Sequence, residues 1–346
     1  MKLPLKLNNN NNTYWSLKKF FSYGNAVNTD IVIGGRGIGK TTTALITAGN
    51  MFNSDGSQFV LIRRYKTELK KVIDTKPLDY VFDGIIYKTN KDFYRFNFEK
   101  ETVGYAIPLS TSIDFKSTNF SRVKLIIYDE ATLIRGGSKR YLDNEVQLLL
   151  ELISTIVRTR TDYKVLILGN NVDLFNPYFS FFSIPTFDTI YIDKKRGLMA
   201  EMPKNSPALI ELEKKTPLYK LVKGTQYADY HYDNQLLVAR KIEVISPPAG
   251  LIPFITIVLQ NCTVYTYFYT DKVDRNLHMY ITHKPKREKG GNKYVLYTED
   301  GVLNTFYLDL FKRQCKATLT QLYYNNKCAF ESQLAGDMFS SIMEVI

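Results

Sequence analysis

The sequence is poor in the residues that build disulfides and metal centres. It has 3 cysteines and 3 histidines in 346 residues. The cysteines, Cys262, Cys315 and Cys328, are too far apart for a CxxC pair or a zinc site, which favours a reducing compartment. His278 and His283 do not have the spacing of two ligands on one helix face, so they do not predict a metal centre.

Long apolar runs are also missing. The most apolar segment, residues 251–259, is shorter than the roughly 20 residues that a membrane-spanning helix needs, and it fits a buried strand better. The first seven residues carry lysines and run into the asparagines at 8–12, so no secretory signal is predicted. We expect an intracellular protein without a membrane partner.

Acidic residues are outnumbered by basic ones. There are 34 Asp and Glu against 46 Lys and Arg, which gives a formal charge of +12. This excess favours a polyanionic partner, most simply nucleic acid, with a solvated basic surface as the plain alternative. The length and the 45% hydrophobic content are sufficient for a sizeable core and favour two domains over one.

Short apolar runs alternate with helical patterns in the first two hundred residues. Strands are predicted at 30–33, 58–62, 102–109, 124–128 and 164–168, a hairpin at 84–98, and helices at 41–52 and 141–157. Apolar strands with helices between them predict an α/β fold, with a parallel sheet covered by helices on both faces.

The pattern changes after residue 200, where prolines occur among many charges. We therefore predict a first domain at 1–205 that includes an N-terminal arm at 1–28, a linker or lid at 206–233, and a small α+β domain at 234–346. Strand patterns in the last domain occur at 252–259, 263–269, 279–282 and 294–298, and helical patterns at 309–322 and 333–346.

The strongest motif is the glycine-rich segment GGRGIGKT at residues 34–41. It matches the phosphate-loop pattern GxxxxGK[ST] in full and lies between a predicted strand and a predicted helix, which is the context that the motif requires. Lys40 would contact the β- and γ-phosphates of ATP, and Thr41 would offer a hydroxyl to Mg²⁺. The predicted nucleotide-binding residues are Gly34, Gly35, Arg36, Gly37, Ile38, Gly39, Lys40, Thr41 and Thr42. Arg36 is an extra cation in the loop, for which a solvent-facing position is the alternative.

The second motif is an acidic pair that follows the apolar strand at 124–128. Asp129 is predicted to hold Mg²⁺ together with Thr41, and Glu130 is predicted to polarise the attacking water as the catalytic base. A capped strand end with a satisfied surface carboxylate is the alternative. The full phosphate loop in the same chain makes the catalytic interpretation much the stronger one.

Two further signals follow the helix at 141–157 and the strand at 164–168. Arg158 and Arg160 are candidates for a cation that a neighbouring subunit supplies to the transition state, unless they only complement the helix C-terminus. Asn170 is a candidate sensor of the γ-phosphate, or a simple turn residue. The guanine signature NKxD is absent, which favours ATP over GTP.

With these residues the chain resembles the DNA-packaging ATPases of φ29-like tailed bacteriophages, one branch of the viral genome-packaging motors. The similarity covers most of residues 30–235 and is faint beyond. Besides the phosphate loop and the acidic pair, it runs through the segments at 63–66, 106–110, 144–146, 158–160, 176–179, 224–225 and 233–235.

The resemblance implies an ASCE-type P-loop ATPase domain, a lid, and a C-terminal domain of RNase H or nuclease-like fold. It implies a homo-oligomeric ring of five subunits on the portal of an empty prohead, driving double-stranded DNA inward as ATP is hydrolysed. The protein would then act in the host cytoplasm, bind the prohead transiently, and be absent from the mature virion. The scattered acids of the C-terminal domain form no evident cluster, so we expect it to lack nuclease activity. A structural RNA, which some relatives use, is left open as a partner.

In such a ring, other basic residues acquire candidate roles. Residues for DNA-backbone contact are Lys66, Arg135, Lys139 and Arg140, and residues that act on a neighbouring subunit are Arg158, Arg160 and Lys116. Each has a solvated surface position as its alternative. The competing functions are another DNA-dependent translocase or helicase, and a scaffold in which ATP only stabilises assembly. A catalytic Glu130 argues against the scaffold.

Overall fold

The computed structural model describes the chain except for residues 1, 8–12, 91–92, 116–118, 134–139, 171–175, 183, 185–186, 188, 226–227, 229–241, 260–261, 286–290, 297–303 and 346. The chain forms two compact units, one made of Met1–Val172 with Phe187–Leu237 and the other of Asp173–Thr186 with Val238–Ile346. Of the predicted site residues, Lys116, Arg135 and Lys139 lie outside the described residues.

The described chain contains both helices and strands throughout. The strands are β1 (Thr29–Gly34), β2 (Gln58–Arg63), β3 (Ile85–Thr89), β4 (Tyr94–Phe98), β5 (Glu101–Pro108), β6 (Val123–Asp129), β7 (Lys164–Asn170), β8 (Ile190–Asp193), β9 (Leu198–Glu201), β10 (Glu243–Val244), β11 (Ile252–Leu259), β12 (Cys262–Thr270), β13 (Leu277–Thr282), β14 (Asn292–Val295) and β15 (Cys328–Phe330). The helices are α1 (Lys18–Ser22), α2 (Lys40–Asp55), α3 (Lys66–Asp74), α4 (Glu145–Val157), α5 (Pro177–Phe181), α6 (Pro207–Lys214), α7 (Pro217–Val222), α8 (Thr305–Tyr324) and α9 (Gln333–Val345).

The first unit is built on a mixed sheet in the order β3-β4-β5-β2-β6-β7-β1-β9-β8. The inner strands from β5 to β9 pair in parallel, while β3, β4 and β8 pair antiparallel to their neighbours. The parallel pairing holds for these inner strands, the hairpin predicted at 84–98 is confirmed as β3 and β4, and the antiparallel strand β8 was not predicted. The links from β3 to β4, β4 to β5 and β8 to β9 are each at most about four residues long, and so short a link can only join antiparallel neighbours.

The central strands are apolar because both of their faces are covered. All six residues of β2 are buried, as are Leu125 and Ile127 of β6 and Leu166 and Leu168 of β7, which share one core cluster with α2. Burial on both faces explains why these strands read as continuous apolar runs rather than as alternating ones.

Three helices begin where the sequence pattern does not show it. The helix predicted from residue 141 starts at Glu145 instead, after Asn144 in a left-handed conformation. The predicted lid segment 206–233 contains α6 and α7, each with proline in its first turn and a Ser206 or Thr216 side chain as the N-terminal cap. Proline is well tolerated at a first helical position, so the prolines there mark helix starts.

The second unit has a mixed sheet in the order β10-β15-β13-β12-β11-β14. The strands β11, β12 and β13 form an antiparallel meander, with β14 parallel to β11 and β15 parallel to β13. One core cluster joins this sheet to α8 and α9 through residues such as Phe311, Leu319, Phe339 and Ile342. Among the described residues, no helix is long and apolar enough to cross a membrane.

Candidate nucleotide-binding and hydrolysis site

The phosphate loop, the acidic pair and Asn170 meet at the carboxyl ends of the central strands because these strands run in parallel. Gly34 at the end of β1 pairs with Asn170 at the end of β7, and Asp129 at the end of β6 pairs with Leu168 of β7. The glycine-rich loop leaves the sheet at this edge and leads into α2. The carboxyl ends of adjacent parallel strands thus bring together three segments that lie far apart in sequence.

The loop itself has the backbone shape that its glycines allow. Gly37 and Gly39 have φ of +82° and +85°, values that L side chains rarely adopt. Gly39 is also the N-terminal cap residue of α2, so the loop ends on the positive end of that helix. This is a backbone arrangement suited to phosphate.

Lys40 is buried inside the loop. Its ammonium donates hydrogen bonds to the carbonyl oxygens of Gly34 at 2.8 Å and Gly35 at 2.7 Å, and lies 3.5 Å from Oδ1 of Asn170. Burial lowers the pKa of Lys40 to about 8, with the charge of Asp129 opposing this shift and that of Arg36 adding to it. Lys40 is therefore still charged at neutral pH, although it loses its proton at a lower pH than an exposed lysine does.

Thr41 and Asp129 form the contact that a metal-binding pair requires. The Thr41 hydroxyl donates to Oδ1 of Asp129 at 3.0 Å, which joins the first turn of α2 to the end of β6. A hydroxyl and a carboxylate oxygen are the hard oxygen ligands that Mg²⁺ takes, usually with phosphate oxygens and water completing its shell. The residues present thus fit the predicted magnesium site.

Arg63 connects the two members of the acidic pair. Its Nη2 lies 2.6 Å from Oδ2 of Asp129, and its Nη1 lies 2.8 Å from Oε2 of Glu130. Arg63 is buried, while half of the Glu130 side chain is exposed. Glu130 also has a φ of +56°, which is uncommon for a residue other than glycine and is often found at functional sites.

A second arginine fixes the backbone just after the acidic pair. Arg64 binds Glu145 in a two-pronged ion pair at 2.6 and 3.0 Å, and both side chains are 1% exposed. The same guanidinium donates to the carbonyl oxygens of Ala131 at 2.7 Å and Glu130 at 3.3 Å. The hydroxyl of Tyr128 donates to Glu145 at 2.8 Å. This buried group ties the turn at Glu130 to the start of α4.

Neither arginine was predicted as a site residue from the sequence. Arg63 is the last residue of β2 and Arg64 follows it, and the sequence predicts nothing for them beyond the segment at 63–66 that shares the family resemblance. The signal that identifies them is positional: β2 lies beside β6, so residues at the end of β2 reach the acidic pair at the end of β6. Glu145 carried no signal of its own, because its role depends on where α4 begins.

Asn170 is placed as a sensor would be. Its side-chain oxygen faces Lys40, and its backbone oxygen accepts a hydrogen bond from Thr132 at 2.8 Å. Gly169 makes this approach possible, since a Cβ there would lie 2.5 Å from Oγ1 of Thr132. The ends of β6 and β7 are thereby joined next to the phosphate loop.

Arg158 and Arg160 do not reach the site of their own chain. The 13 residues of α4 extend for about 20 Å from Glu145. The helix therefore ends near the amino ends of the strands, opposite the phosphate loop. There Arg160 donates to the carbonyl oxygens of Phe120 and Ile156, each at 3.2 Å, and lies 3.7 Å from Asp162. Arg158 is exposed at the end of α4. Arg36 in the loop and Thr42 in the first turn of α2 are also exposed.

Two of the DNA-contact candidates lie near the acidic pair. Lys66 is the exposed first residue of α3, and Arg140 is exposed, with its backbone oxygen accepting a hydrogen bond from the Tyr65 hydroxyl at 2.8 Å. A depression of about 550 Å³ opens beside them; it is lined by Arg63, Tyr65, Thr67, Glu68, Lys71, Val72, Glu130 and Arg140. A basic surface therefore borders the proposed catalytic glutamate.

Comparison with known proteins identifies the family. Residues 10–335 match the model of the Podovirus DNA encapsidation protein (Gp16) family. The chain belongs to this family. It is thus a DNA-packaging motor protein of the φ29-like phages.

Individual members are similar over nearly their whole length. The DNA packaging protein of Bacillus phage phi29 is 28% identical over 327 residues, which cover 93% of this chain and 94% of that protein. The DNA packaging protein of Bacillus phage B103 is 28% identical over 318 residues, covering 90% of this chain and 95% of that protein.

Solved structures agree in fold. The bacteriophage Phi-29 viral genome packaging motor assembly contains a chain that is 25% identical, with a TM-score of 0.65 and coverage of 96% of this chain and 99% of that chain. The Phi-28 gp11 DNA packaging motor matches with a TM-score of 0.57 at 19% identity, over 97% of this chain and 98% of that chain.

Proposed function

We propose that this packaging protein is an ATPase that couples the hydrolysis of ATP to the movement of double-stranded DNA into a prohead. The observation that carries this proposal is the 3.0 Å contact between Thr41 and Asp129, with Glu130 next in sequence. A phosphate loop alone would only bind nucleotide. A metal-binding pair with an adjacent carboxylate at the same sheet edge is the arrangement of a hydrolase.

Each residue of the site takes one part of the reaction. The loop N–H groups and Lys40 bind the triphosphate, and Thr41 and Asp129 hold Mg²⁺, which would neutralise charge on the phosphates. Glu130 accepts a proton from the attacking water, and Asn170 positions the γ-phosphate end from the tip of β7. Arg63 must release Glu130 for this, because the guanidinium occupies a carboxylate oxygen that would receive the proton.

A cation from a neighbouring subunit completes the site. In its own chain, Arg158 lies about 20 Å of helix away from Glu145 and is exposed, which supports a role on another chain. Arg160 is held by its own chain, so Arg158 is the better candidate, and Lys116 stays a second prediction. A subunit that needs its neighbour's arginine hydrolyses ATP only within a homo-oligomeric ring, which we propose to be a pentamer.

The ring would sit on the portal of the prohead while the genome enters. Contacts with DNA would be made to phosphates, since a packaging motor must move any sequence. Lys66 and Arg140 are the described candidates, with Arg135 and Lys139 as further predictions. The protein would act in the host cytoplasm and leave before the virion is complete, and a structural RNA stays an open partner.

The two units differ in strand order, and each order favours a different proposed role. In the first, β7 lies between the strand that enters the phosphate loop and the strand that ends in Asp129, which is the strand order of an ASCE P-loop ATPase. In the second, the antiparallel meander with β14 parallel to its first strand favours a nuclease-like fold of RNase H type. We propose domains at 1–205, 206–233 and 234–346, the last without nuclease activity.

The test is the rate of ATP hydrolysis by the purified protein, alone and with double-stranded DNA and matched proheads. Strong stimulation by DNA and proheads together is expected, and Lys40→Ala and Glu130→Gln should both lose it. Glu151→Gln is a matched control, because Glu151 is an exposed glutamate of α4. Hydrolysis that responds to DNA but is indifferent to proheads would point to a general translocase instead.

A further inference from the structure

The sheet fixes the direction in which a bound triphosphate must run. The groups proposed to act on the γ-phosphate, Asp129 and Asn170, lie at the ends of β6 and β7, on one side of β1. The other neighbour of β1 is β9. The nucleoside end of the ligand therefore extends away from β7, towards the segments that surround β9. Those segments are residues 13–15 of the N-terminal arm and α6, which are joined where the hydroxyl of Ser206 donates to the carbonyl oxygen of Thr13 at 2.6 Å.

The arm is firmly attached to the phosphate loop at this side. The backbone N–H of Trp15 donates to the carbonyl oxygen of Ile38 at 3.1 Å, and its own carbonyl oxygen accepts from Thr43 at 3.0 Å. The indole N–H of Trp15 donates to Glu201, the last residue of β9, at 3.3 Å. Trp15 is thus anchored to the loop, to α2 and to the neighbouring strand, so the residue before it has a defined position.

That residue, Tyr14, presents an aromatic ring beside the end of the loop. A Cβ on Gly39 would lie 3.3 Å from both Cβ and Cδ1 of Tyr14, so the ring is in van der Waals contact with the start of α2. The side chain of Tyr14 is nevertheless 45% exposed. A large aromatic group that is rigidly held and still open to solvent is suited to stacking on a planar ligand.

A carboxylate lies on the same side of the loop. Oε1 of Glu213 is 3.6 Å from the position that a Cβ on Gly37 would take, and Oε2 accepts from Asn205 at 3.5 Å. A carboxylate would repel a phosphate, but it accepts hydrogen bonds from the amine or hydroxyl groups of a nucleoside. Burial raises the pKa of the Glu213 carboxyl, so a donor from a ligand would also favour its charged form.

We propose that Tyr14 and Glu213 form the nucleoside subsite of this ATPase, with the tyrosine ring stacked on the purine and the carboxylate accepting from its amine or from the ribose hydroxyls. This inference rests on the proposed ATPase function and adds to it the residues that distinguish a nucleotide from a bare polyphosphate. The phosphate loop holds the charge of the ligand, and the arm and α6 hold its nucleoside.

The test compares the affinity of the full-length protein for ATP and for inorganic tripolyphosphate, measured by calorimetry in the presence of Mg²⁺. Tyr14→Ala should weaken ATP binding about tenfold, the loss expected for one stacked base, and leave tripolyphosphate binding unchanged. Tyr14→Phe should bind ATP as the parent does, because stacking needs the ring and not the hydroxyl. Tyr80→Ala is the control, since Tyr80 is 73% exposed in another part of the chain.

Glu213 is tested with two analogues of ATP, one without the 6-amino group and one without the ribose hydroxyls. Glu213→Ala should weaken ATP binding severalfold, and the analogue that lacks the contacted group should bind parent and variant equally. Glu211→Ala, an exposed glutamate of the same helix, should change nothing.

The outcomes separate this proposal from the function on which it rests. A Tyr14→Ala variant that binds ATP and tripolyphosphate as tightly as the parent would overturn the stacking role. Equal weakening of both ligands would also overturn it, since Tyr14 would then only support the loop. A parent protein that binds neither ligand, or that binds both equally well after Lys40→Ala, would contradict the phosphate loop itself.

Discussion

The guanidinium of Arg63 lies 2.8 Å from a carboxylate oxygen of Glu130. The same side chain binds Asp129 at 2.6 Å, so one arginine connects the proposed metal ligand to the proposed base. The pairing occupies one carboxylate oxygen of Glu130, so that oxygen is not available to accept a proton from water. Half of the Glu130 side chain is exposed, and it can therefore leave this partner by rotation.

We expect Arg63→Ala to raise the hydrolysis of ATP in the absence of DNA and proheads, and so to reduce the stimulation that they produce. The reason is that Glu130 no longer has to be released from a guanidinium. Arg63→Lys, which keeps one charge but not both contacts, should lie between the variant and the parent. Steady-state rates with and without DNA and proheads measure this. A basal rate as low as that of Glu130→Gln would instead show that Arg63 is needed for the reaction.

Breaking the buried pair of Arg64 and Glu145 should displace the turn at Glu130. Glu145→Gln leaves a buried guanidinium without its counter-charge, which typically costs about 3–5 kcal/mol of stability. We expect kcat to fall by tenfold or more while KM for ATP stays within about twofold, because the phosphate loop is untouched. Kinetics well below the melting temperature measure this, with thermal unfolding recorded alongside. A fall in stability with unchanged kcat would show that the pair has only a structural role.

The affinity for ATP should decrease as the pH rises above about 8, where Lys40 loses its proton in the free protein. Phosphates favour the charged lysine, so binding takes up a proton above that pH and weakens by up to about tenfold per pH unit. At neutral pH, where Lys40 is already charged, the affinity should not change. Titrations between pH 7 and 9.5 measure this, and Lys40→Arg should show a flat profile in the same range. A flat profile for the parent would contradict the shifted pKa.

Arg158 and Arg160 should behave differently although they are close in sequence. Arg158 is exposed, so Arg158→Ala should leave thermal stability unchanged and abolish hydrolysis by the assembled ring. Arg160 binds two carbonyl oxygens of its own chain, so Arg160→Ala should lower the melting temperature.

Mixing tests whether Arg158 acts on a neighbour. Subunits with Arg158→Ala and subunits with Glu130→Gln, each inactive alone, should recover part of the parent rate when they are mixed on proheads. In such a ring some interfaces combine an intact base with an intact arginine. Mixtures that stay inactive at every ratio would remove Arg158 from the transition state.

Much of the candidate site could be predicted because its chemistry lies in contiguous motifs. The loop at 34–41 needs glycines, a lysine and a hydroxyl in a fixed order, and Asp129 with Glu130 follows directly on an apolar strand. Where a residue's role depends on its sequence neighbours, the sequence shows it. The strand, helix and hairpin patterns around these motifs were also readable, since buried strands are continuous apolar runs.

The rest depends on contacts between distant segments. Arg63 and Arg64 reach the acidic pair because β2 lies beside β6. Glu145 binds Arg64 because α4 starts at that residue. No local sequence pattern shows either fact. At the edges of the first sheet, the hairpin at 84–98 was predicted, whereas the antiparallel strand β8 was not, since its four residues carry too short a pattern. The prolines at 207 and 217 were read as marks of a linker, whereas they begin α6 and α7.

The most direct test of the account is the amount of DNA that becomes protected from nuclease inside proheads when the motor carries Glu130→Gln. The account predicts that this variant binds ATP with nearly the affinity of the parent and joins the prohead, yet packages no DNA, because the bound ATP is not hydrolysed. Packaging by Glu130→Gln at the rate of the parent protein would contradict the claim that hydrolysis at this site moves the genome.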